Sequence, residues 1–323
     1  MEKTKTKKVA PASKVVKEEK KFESWVGRIP KLKPGKYADG IPYSDITYLA
    51  FKLILKSNRF ISRDSLFEFQ EVIRKPAKKN GVGFKTKRFS KKAIKIREVL
   101  FVDTPDFKLY NNAFILRRRI SYEDGFPAED PEIVFKFRHT DLQKTAEVDI
   151  RPNIQGDHNI KFKCQVLPLK DELGGIRILY SHNVQFSRSS VKQNDVFAFD
   201  VIAQIFPALK SLKQKPGERI ELVNGTVIEE VLQDIGEFDF GGGMVAKANV
   251  AIWRTRGEHR PLIGEFAYQL NFEDRSKLNS EALKRAENFF IDLQYAAKNW
   301  IALNATKTGV VYRMLGNAPK AHE

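Results

Sequence analysis

Between Val102 and Arg138 the chain reads VDTPDFKLYNNAFILRRRIS, then a short acidic loop, then PEIVFKFR. Side chains of a strand alternate between its two faces. Arg117 and Arg119 therefore share a face, and so do Lys136 and Arg138, while Ile133, Phe135 and Phe137 take the other. Paired cations on one side of a strand and apolar residues on the other require a polar cavity or a bound anion on the charged side. The rest of the chain is read as the wall around that cavity.

With 323 residues and 24 Phe, the chain can bury a sizeable core. Its net charge of +17 is unevenly placed. Residues 1–36 carry 12 Lys/Arg against 4 Glu, and residues 74–97 carry 11 Lys/Arg and no acid, which leaves the body nearly neutral. The first 40 residues read as a basic, disordered or irregular tail, and residues 317–323 as a second tail. Residues 41–316 read as one domain. Lys3, Lys5, Lys7 and Lys8 of the tail, together with loop 74–97, are candidates to dock a nucleic acid or another polyanion. The single cysteine, Cys164, falls in the apolar phase of KFKCQV and reads as buried and structural; one cysteine fits a reducing, cytoplasmic setting. No apolar run approaches the ~20 residues of a membrane span, and no secretory leader is evident, so no membrane partner is expected.

Ile46 to Lys56 reads as a strand. Ser62 to Arg74 reads as a helix capped by Ser62 and ended by Pro76. From Ala93 to Val166 the pattern is nearly all strand, AEVDIRP (Ala146 to Pro152) included, with turns at Asn111-Asn112, Asp124-Gly125 and Asn153 to Asn159. An apolar helix is expected over Asn194 to Leu212, capped by Asn194 and interrupted at Pro207. Strands resume at Arg219, with Asn224-Gly225 as a hairpin signal. A closing helix is predicted from Ser280 to about Leu303, its buried stripe made by Ala286, Phe290, Leu293, Ala297 and Trp300. GGGM at 241–244 reads as a turn between strands. Roughly ten strands and few helices give an α+β, mainly β fold, an antiparallel tunnel-like barrel with flanking helices. On pattern alone, a sandwich with the same residues facing solvent stands beside a barrel with a wet lumen.

The candidate inward cations are Lys52, Arg117, Arg119, Lys136, Arg138, Lys161, Lys163, Arg188 and Arg254. The candidate acids are Glu147, Asp149, Glu221, Glu237, Asp239 and Glu265. Cations this dense need an anion to offset them. A chain of phosphates supplies the charge, and guanidinium forks match phosphate oxygens. Carboxylates on neighbouring strands suit Mg²⁺ or Mn²⁺, which prefer hard oxygen ligands. Among the other residues, the five histidines show no ligand spacing, and no Gly-x-Ser-x-Gly occurs.

At these residues the sequence resembles a known family. FVDTPDFKLYNNAFILRRR is similar to the hairpin of the CYTH domain, the triphosphate tunnel metalloenzymes, and EIVFKFRH to the lysine-bearing strand that follows it. PLIGEFAYQLNF, the helix after it and TKTGVVY resemble that family's late acidic strand and closing segment. The resemblance implies metal-dependent phosphohydrolysis or phosphoryl transfer on inorganic triphosphate, polyphosphate or a nucleoside or organic triphosphate. It implies Arg117, Arg119, Lys136 and Arg138 as phosphate-binding, Glu147 and Asp149 as further lumen positions and Glu265 as a ligand of Mg²⁺ or Mn²⁺; with the residue pattern added, Lys52, Lys136 and Glu147 are expected as catalytic, Arg188 and Arg254 as further phosphate-binding residues, and Asp149 as a second metal ligand. One departure is plain. The family's first strand carries Glu-x-Glu-x-Lys, and here Tyr48-Leu49-Ala50-Phe51-Lys52 keeps only the lysine. Either Glu265 and acids of other strands suffice, or the tunnel binds polyphosphate or nucleotide without hydrolysing it; binding of RNA through the basic segments is a third reading.

Overall fold

The protein is described by a computed structural model covering residues 30–86, 94–273 and 275–316. The basic tail with Lys3, Lys5, Lys7 and Lys8, and the middle of the 74–97 loop, lie outside those residues. In chain order the strands are β1 (Tyr48–Leu55), β2 (Gly83–Thr86), β3 (Ile94–Asp103), β4 (Phe114–Glu123), β5 (Phe126–Pro127), β6 (Glu132–His139), β7 (Asn159–Leu167), β8 (Arg177–Ser187), β9 (Glu221–Asp239), β10 (Val245–Thr255) and β11 (Pro261–Asn271). The helices are α1 (Asp64–Lys79), α2 (Lys108–Asn111), α3 (Leu142–Glu147), α4 (Phe199–Ile205), α5 (Ser280–Ala296) and α6 (Lys307–Tyr312).

Nine strands run in the order β10-β11-β1-β7-β8-β6-β4-β3-β9, and β9 pairs back onto β10, so the sheet closes into a barrel. Closure answers the question that pattern left open: the molecule is a barrel and not a sandwich. Its pairings are antiparallel except that β1 runs parallel to β7, from Tyr48 opposite Lys163 to Phe51 opposite Val166. β2 and β5 are short additions, on the end of β9 and on β4.

The apolar core lies outside the barrel wall. In β1, Leu49, Phe51, Leu53 and Leu55 are buried outward, while Ala50, Lys52 and Ile54 turn to the interior. The outward set meets α1 and α5. Phe51 stacks on Tyr268 at 4.7 Å between ring centres, Phe69 of α1 meets Phe266, and Phe290 of α5 meets Phe51. α5 starts on Asn279, whose side chain accepts the amide of Ala282, and buries Leu283, Ala286, Phe289, Phe290 and Leu293. A second cluster covers β4, β6 and β8: Phe206, following α4, stacks on Phe135 at 4.2 Å. Burial of these aromatic faces at ~25 cal/mol per Å² stabilises the wall from without and leaves the interior free to be polar.

A third cluster closes one end. Ile54, Val99, Phe101, Ile115, Ile228, Trp253 and Ile263 each sit on a lumen-facing register, and Val311 and Tyr312 of α6 pack against them. Tyr312 stacks on Tyr110 at 4.1 Å. The barrel is thus a cup with an apolar floor.

Several local readings change. Pro76 does not end α1, which runs on to Lys79; a proline near the last turn removes one amide donor and is itself buried in the core. Ser62 does act at the start of α1, its hydroxyl accepting the amide of Asp64. The stretch from Ala146 to Pro152 is not a strand: Asp141 caps α3 by accepting the amide of Lys144, and α3 continues to Glu147. Asn194 caps nothing; α4 begins only at Phe199, and Pro207 opens a separate 3₁₀ turn. Asn224 and Gly225 are no hairpin. Both have left-handed backbone, with φ of 54° and 59°, and form a bulge within the unbroken β9, where the pairing steps from Leu100–Val227 to Val102–Leu222. The Asn224 side-chain amide donates to the carbonyl of Val311 at 2.7 Å, so the bulge holds α6 in the floor. The closing helix ends at Ala296, and Trp300 beyond it packs on Phe60 and Phe69.

Candidate functional site

The lumen above the floor is a cavity of about 310 Å³. Lys52 enters it from β1, Arg97 from β3, Arg117 and Arg119 from β4, Lys136 and Arg138 from β6, Lys161 and Lys163 from β7, and Lys307 from α6. Two carboxylates face these nine cations, Glu230 of β9 and Glu265 of β11. Asn183, Gln185, Asn249 and Gln269 supply uncharged polar lining.

Strand alternation explains which residues arrive. Seven of the sequence-predicted cations reach the lumen, and all but Arg119 lie on the phase opposite a buried outward neighbour: Lys52 beside Leu53, Arg117 beside Leu116, Lys136 between Phe135 and Phe137, Lys163 between Phe162 and Cys164. Glu265 reaches the lumen by the same rule, beside Phe266. Seven predicted residues are not brought there. Arg254 points outward because Trp253 holds the lumen phase, and its Nε donates to Glu229 at 2.5 Å. Arg188 lies in a 3₁₀ turn after β8, where its guanidinium donates to the carbonyl of Val191 at 3.1 Å. Glu147 ends α3, so strand phase does not apply to it, and it accepts from the Gln143 amide. Asp149 pairs with Arg151 on the outside, the closest approach being 2.5 Å. Glu221, Glu237 and Asp239 do not line the cavity either.

Three lumen residues went unread in the sequence. Arg97 alternates with Val99 and Phe101, a signal present but absorbed into a basic run. Glu230 follows Glu229 in an uninterrupted strand, where one of two adjacent acids must face inward. Lys307 carries no period-2 signal, since it stands at the start of a helix.

The charges are arranged in two zones. Near the floor, Lys307 Nζ lies 3.2 Å from Glu230 and 3.0 Å from Glu265. Arg97 bonds Glu230, Lys52 stands 3.6 Å from Glu265, and the Trp253 indole donates to Glu230 at 2.8 Å. Burial opposes charge on both acids, but Lys307 with Arg97 on Glu230, and Lys307 with Lys52 on Glu265, win and hold both well below the usual carboxylate range. Elsewhere the cations outnumber any partner. Among the described residues Lys136 and Arg117 make no ion pair, and the Arg117 Nε has no hydrogen-bond acceptor. Burial, then the neighbouring Arg117, Arg138, Lys52 and Lys163, pushes the Lys136 ammonium far down. Burial and then Arg119 lower Arg117 to about 9. Burial and then Lys52 and Lys161 lower Lys163 to about 7. Arg119 at the rim is held by Glu132, its Nε donating at 2.8 Å.

The carboxylates do not fit a divalent cation. Among the described residues no three His, Cys, Asp or Glu side chains gather to hold one. Mg²⁺ and Mn²⁺ need oxygen ligands, and the two acids present already have nitrogen partners on all four oxygens.

The DTPD segment proves to be scaffold. The buried Asp103 carboxylate accepts the amides of Thr104, Leu109 and Tyr110 at 2.8, 2.8 and 2.9 Å, and so ties β3 to α2 beside the floor. Burial, only partly offset by those amides, raises Asp103 to about 6.

The described residues form a closed, mainly β barrel with apolar side chains packed outside its wall, cations inside and a helix after the last strand, a tunnel-like fold. No protein-family model matches the chain, and comparison with curated proteins finds no match. Solved structures do align. HpAC1 from Hippeastrum, described as having a dominant triphosphatase activity, is 11% identical over 83% of this chain and 96% of its own, at a TM-score of 0.36. A Bacillus halodurans protein described as a candidate adenylate cyclase is 11% identical over 81% and 95%, at 0.35. The PH1819 protein from Pyrococcus horikoshii OT3 is 10% identical over 83% and 99%, at 0.33. At these scores the fold assignment rests on the barrel's own closure and lumen. No helix of the described residues is long and apolar enough to cross a membrane.

Proposed function

We propose that the lumen binds a linear condensed phosphate: inorganic triphosphate, the end of a polyphosphate, or the triphosphate of a nucleotide. One observation carries this reading. Nine cations share a cavity of about 310 Å³ with two carboxylates, and both carboxylates are spent on Lys307, Arg97 and Lys52. Among the described residues Lys136 then makes no ion pair, and Arg117 makes none either, although Glu230 and Glu132 lie near enough to favour its charge; buried charge so poorly offset costs several kcal/mol per ion unless a ligand supplies the counter-charge. Cations at i and i+2 of one strand stand ~7 Å apart, so Arg117 with Arg119, Lys136 with Arg138, and Lys161 with Lys163 form three rows along the barrel wall. A rod of phosphates lying between such rows meets charge along its length, which a single orthophosphate does not. The apolar floor stops the chain end at Lys307, so the ligand enters from the rim at Arg119 and Lys161.

The test is titration calorimetry with triphosphate, pyrophosphate and orthophosphate, each with and without EDTA, alongside an assay of released phosphate. Triphosphate should bind at least tenfold more tightly than orthophosphate, and Arg117→Met with Lys136→Met should abolish the difference. Equal binding of all three, or affinity unchanged in the double variant, would refute the assignment. Phosphate release with Mg²⁺ or Mn²⁺ would move the assignment from binding to hydrolysis.

A further inference from the structure

The two lumen carboxylates lie on different strands, β9 and β11, and one ammonium joins them. Lys307 Nζ is 3.2 Å from Glu230 Oε1 and 3.0 Å from Glu265 Oε1, and its side chain is only 15% exposed. It also lies 4.7 Å from the centre of the Trp253 ring. The outer oxygens of both acids are taken as well, Glu230 Oε2 by Arg97 and Glu265 Oε2 by Lys52. Lys307 is fixed from both sides: the Thr306 hydroxyl accepts the amide of Gly309, and Asn224 ties down the far end of α6.

We propose that Lys307 is the built-in counter-ion of this tunnel. Its ammonium occupies the position between Glu230 and Glu265 where a divalent cation would otherwise sit. A protein cation there neutralises the acids just above the apolar floor and presents a fixed charge to an incoming anion without any metal. The arrangement deepens the phosphate-binding reading, in which anion capture becomes insensitive to chelators. The claim about the metal does not depend on which anion enters.

The experiment is Mn²⁺ titration, followed by calorimetry and by the electron paramagnetic resonance of free Mn²⁺, on wild type, Lys307→Met and Lys307→Met with Glu265→Gln. Methionine keeps the stem and drops the charge. It removes the ammonium from between Glu265 Oε1 and Glu230 Oε1, the latter still accepting the Trp253 indole. Wild type should take up no Mn²⁺ up to 1 mM added metal as an order of magnitude, Lys307→Met should take up one ion, and the added Glu265→Gln should abolish that uptake. A wild type that binds Mn²⁺ and loses it on Glu265→Gln alone would overturn the proposal, and so would a folded Lys307→Met that binds none. Should Lys307→Met not fold, the wild-type and Glu265→Gln titrations decide, together with triphosphate binding before and after EDTA: metal-dependent binding refutes the inference. Failure of triphosphate to bind any form removes the phosphate reading and leaves the Mn²⁺ result standing by itself.

Discussion

Lys163 gives the sharpest energetic test of the crowded lumen. Burial, then Lys52, Lys161, Arg117 and Arg119, brings its ammonium from an ordinary 10.5 to about 7. In the unfolded chain the same lysine titrates near its ordinary value. Between about pH 7 and 10.5 the unfolded chain therefore binds more protons than the folded one, and stability rises with pH. The contribution of neutral Lys163 is present above pH 10.5 and is lost as pH falls to about 7. At ~1.4 kcal/mol per pKa unit, a gap of about 3.5 sets a ceiling near 5 kcal/mol. Against this, Lys163 donates to Gln269 at 2.8 Å and lies 5.1 Å from the Tyr48 ring, contacts worth ~1–2 kcal/mol together. Replacing Lys163 with Met removes the charge, keeps the stem, and should stabilise the ligand-free protein at pH 7 by up to about 3–4 kcal/mol. At pH 10 the gain should shrink to nothing or reverse, because only the lost contacts remain. Urea unfolding of both proteins at the two pH values, in buffers without polyanions, measures this. A Lys163→Met protein no more stable than wild type at pH 7, or one whose gain is the same at pH 10, would show that the lumen stores no such repulsion.

Three further outcomes follow from the same geometry. Arg117→Met and Lys136→Met should each raise the melting temperature of the ligand-free protein while weakening triphosphate binding tenfold or more, since a charge-assisted hydrogen bond is worth ~1.5–3 kcal/mol; thermal melts with and without triphosphate read both effects. Asp103→Leu leaves the amides of Thr104, Leu109 and Tyr110 without an acceptor and should cost about 2–4 kcal/mol by chemical denaturation. Cys164 is fully buried with its thiol pushed up by burial, so a thiol reagent should leave it unmodified until denaturant is added.

The wall and the lumen's cation rows were readable because a closed sheet obeys period 2. Arg117, Arg119, Lys136, Arg138, Lys52, Lys163 and Glu265 were all placed by an apolar neighbour on the opposite phase. The rule fails where the backbone is not a strand. Glu147 and Asp149 follow Asp141, and a capping aspartate converts what alternates like a strand into a helix and an irregular tail. It also fails when the competitor for the lumen phase is large: Arg254 lost its place to Trp253. Lys307 was invisible for a deeper reason. It belongs to a six-residue helix, and only the fold of α6 against β9 and β11 brings it to two acids at positions 230 and 265.

A barrel that packs its hydrophobic side chains outward reverses the usual division between core and surface, and this settles how the lumen can hold so much unpaired charge. Phe51, Tyr268, Phe266 and Phe290 secure the wall under α1 and α5, and Phe135 with Phe206 secures it on the other side. Above the apolar floor and the ion pairs of Glu230 and Glu265, the interior contributes repulsion. Lys136 has Arg117, Arg138, Lys52 and Lys163 as its electrostatic neighbours and no acid among them. Local strain of this kind persists only where surrounding structure over-determines it. An anion that enters the cup cancels the repulsion and adds its own charge-assisted bonds, so binding gains twice from one event. Mutations that calm the lumen should therefore stabilise the empty protein and weaken its grip on phosphate together. A series of lumen substitutions in which those two quantities failed to move in opposite directions would mean that the cations serve the fold rather than a ligand.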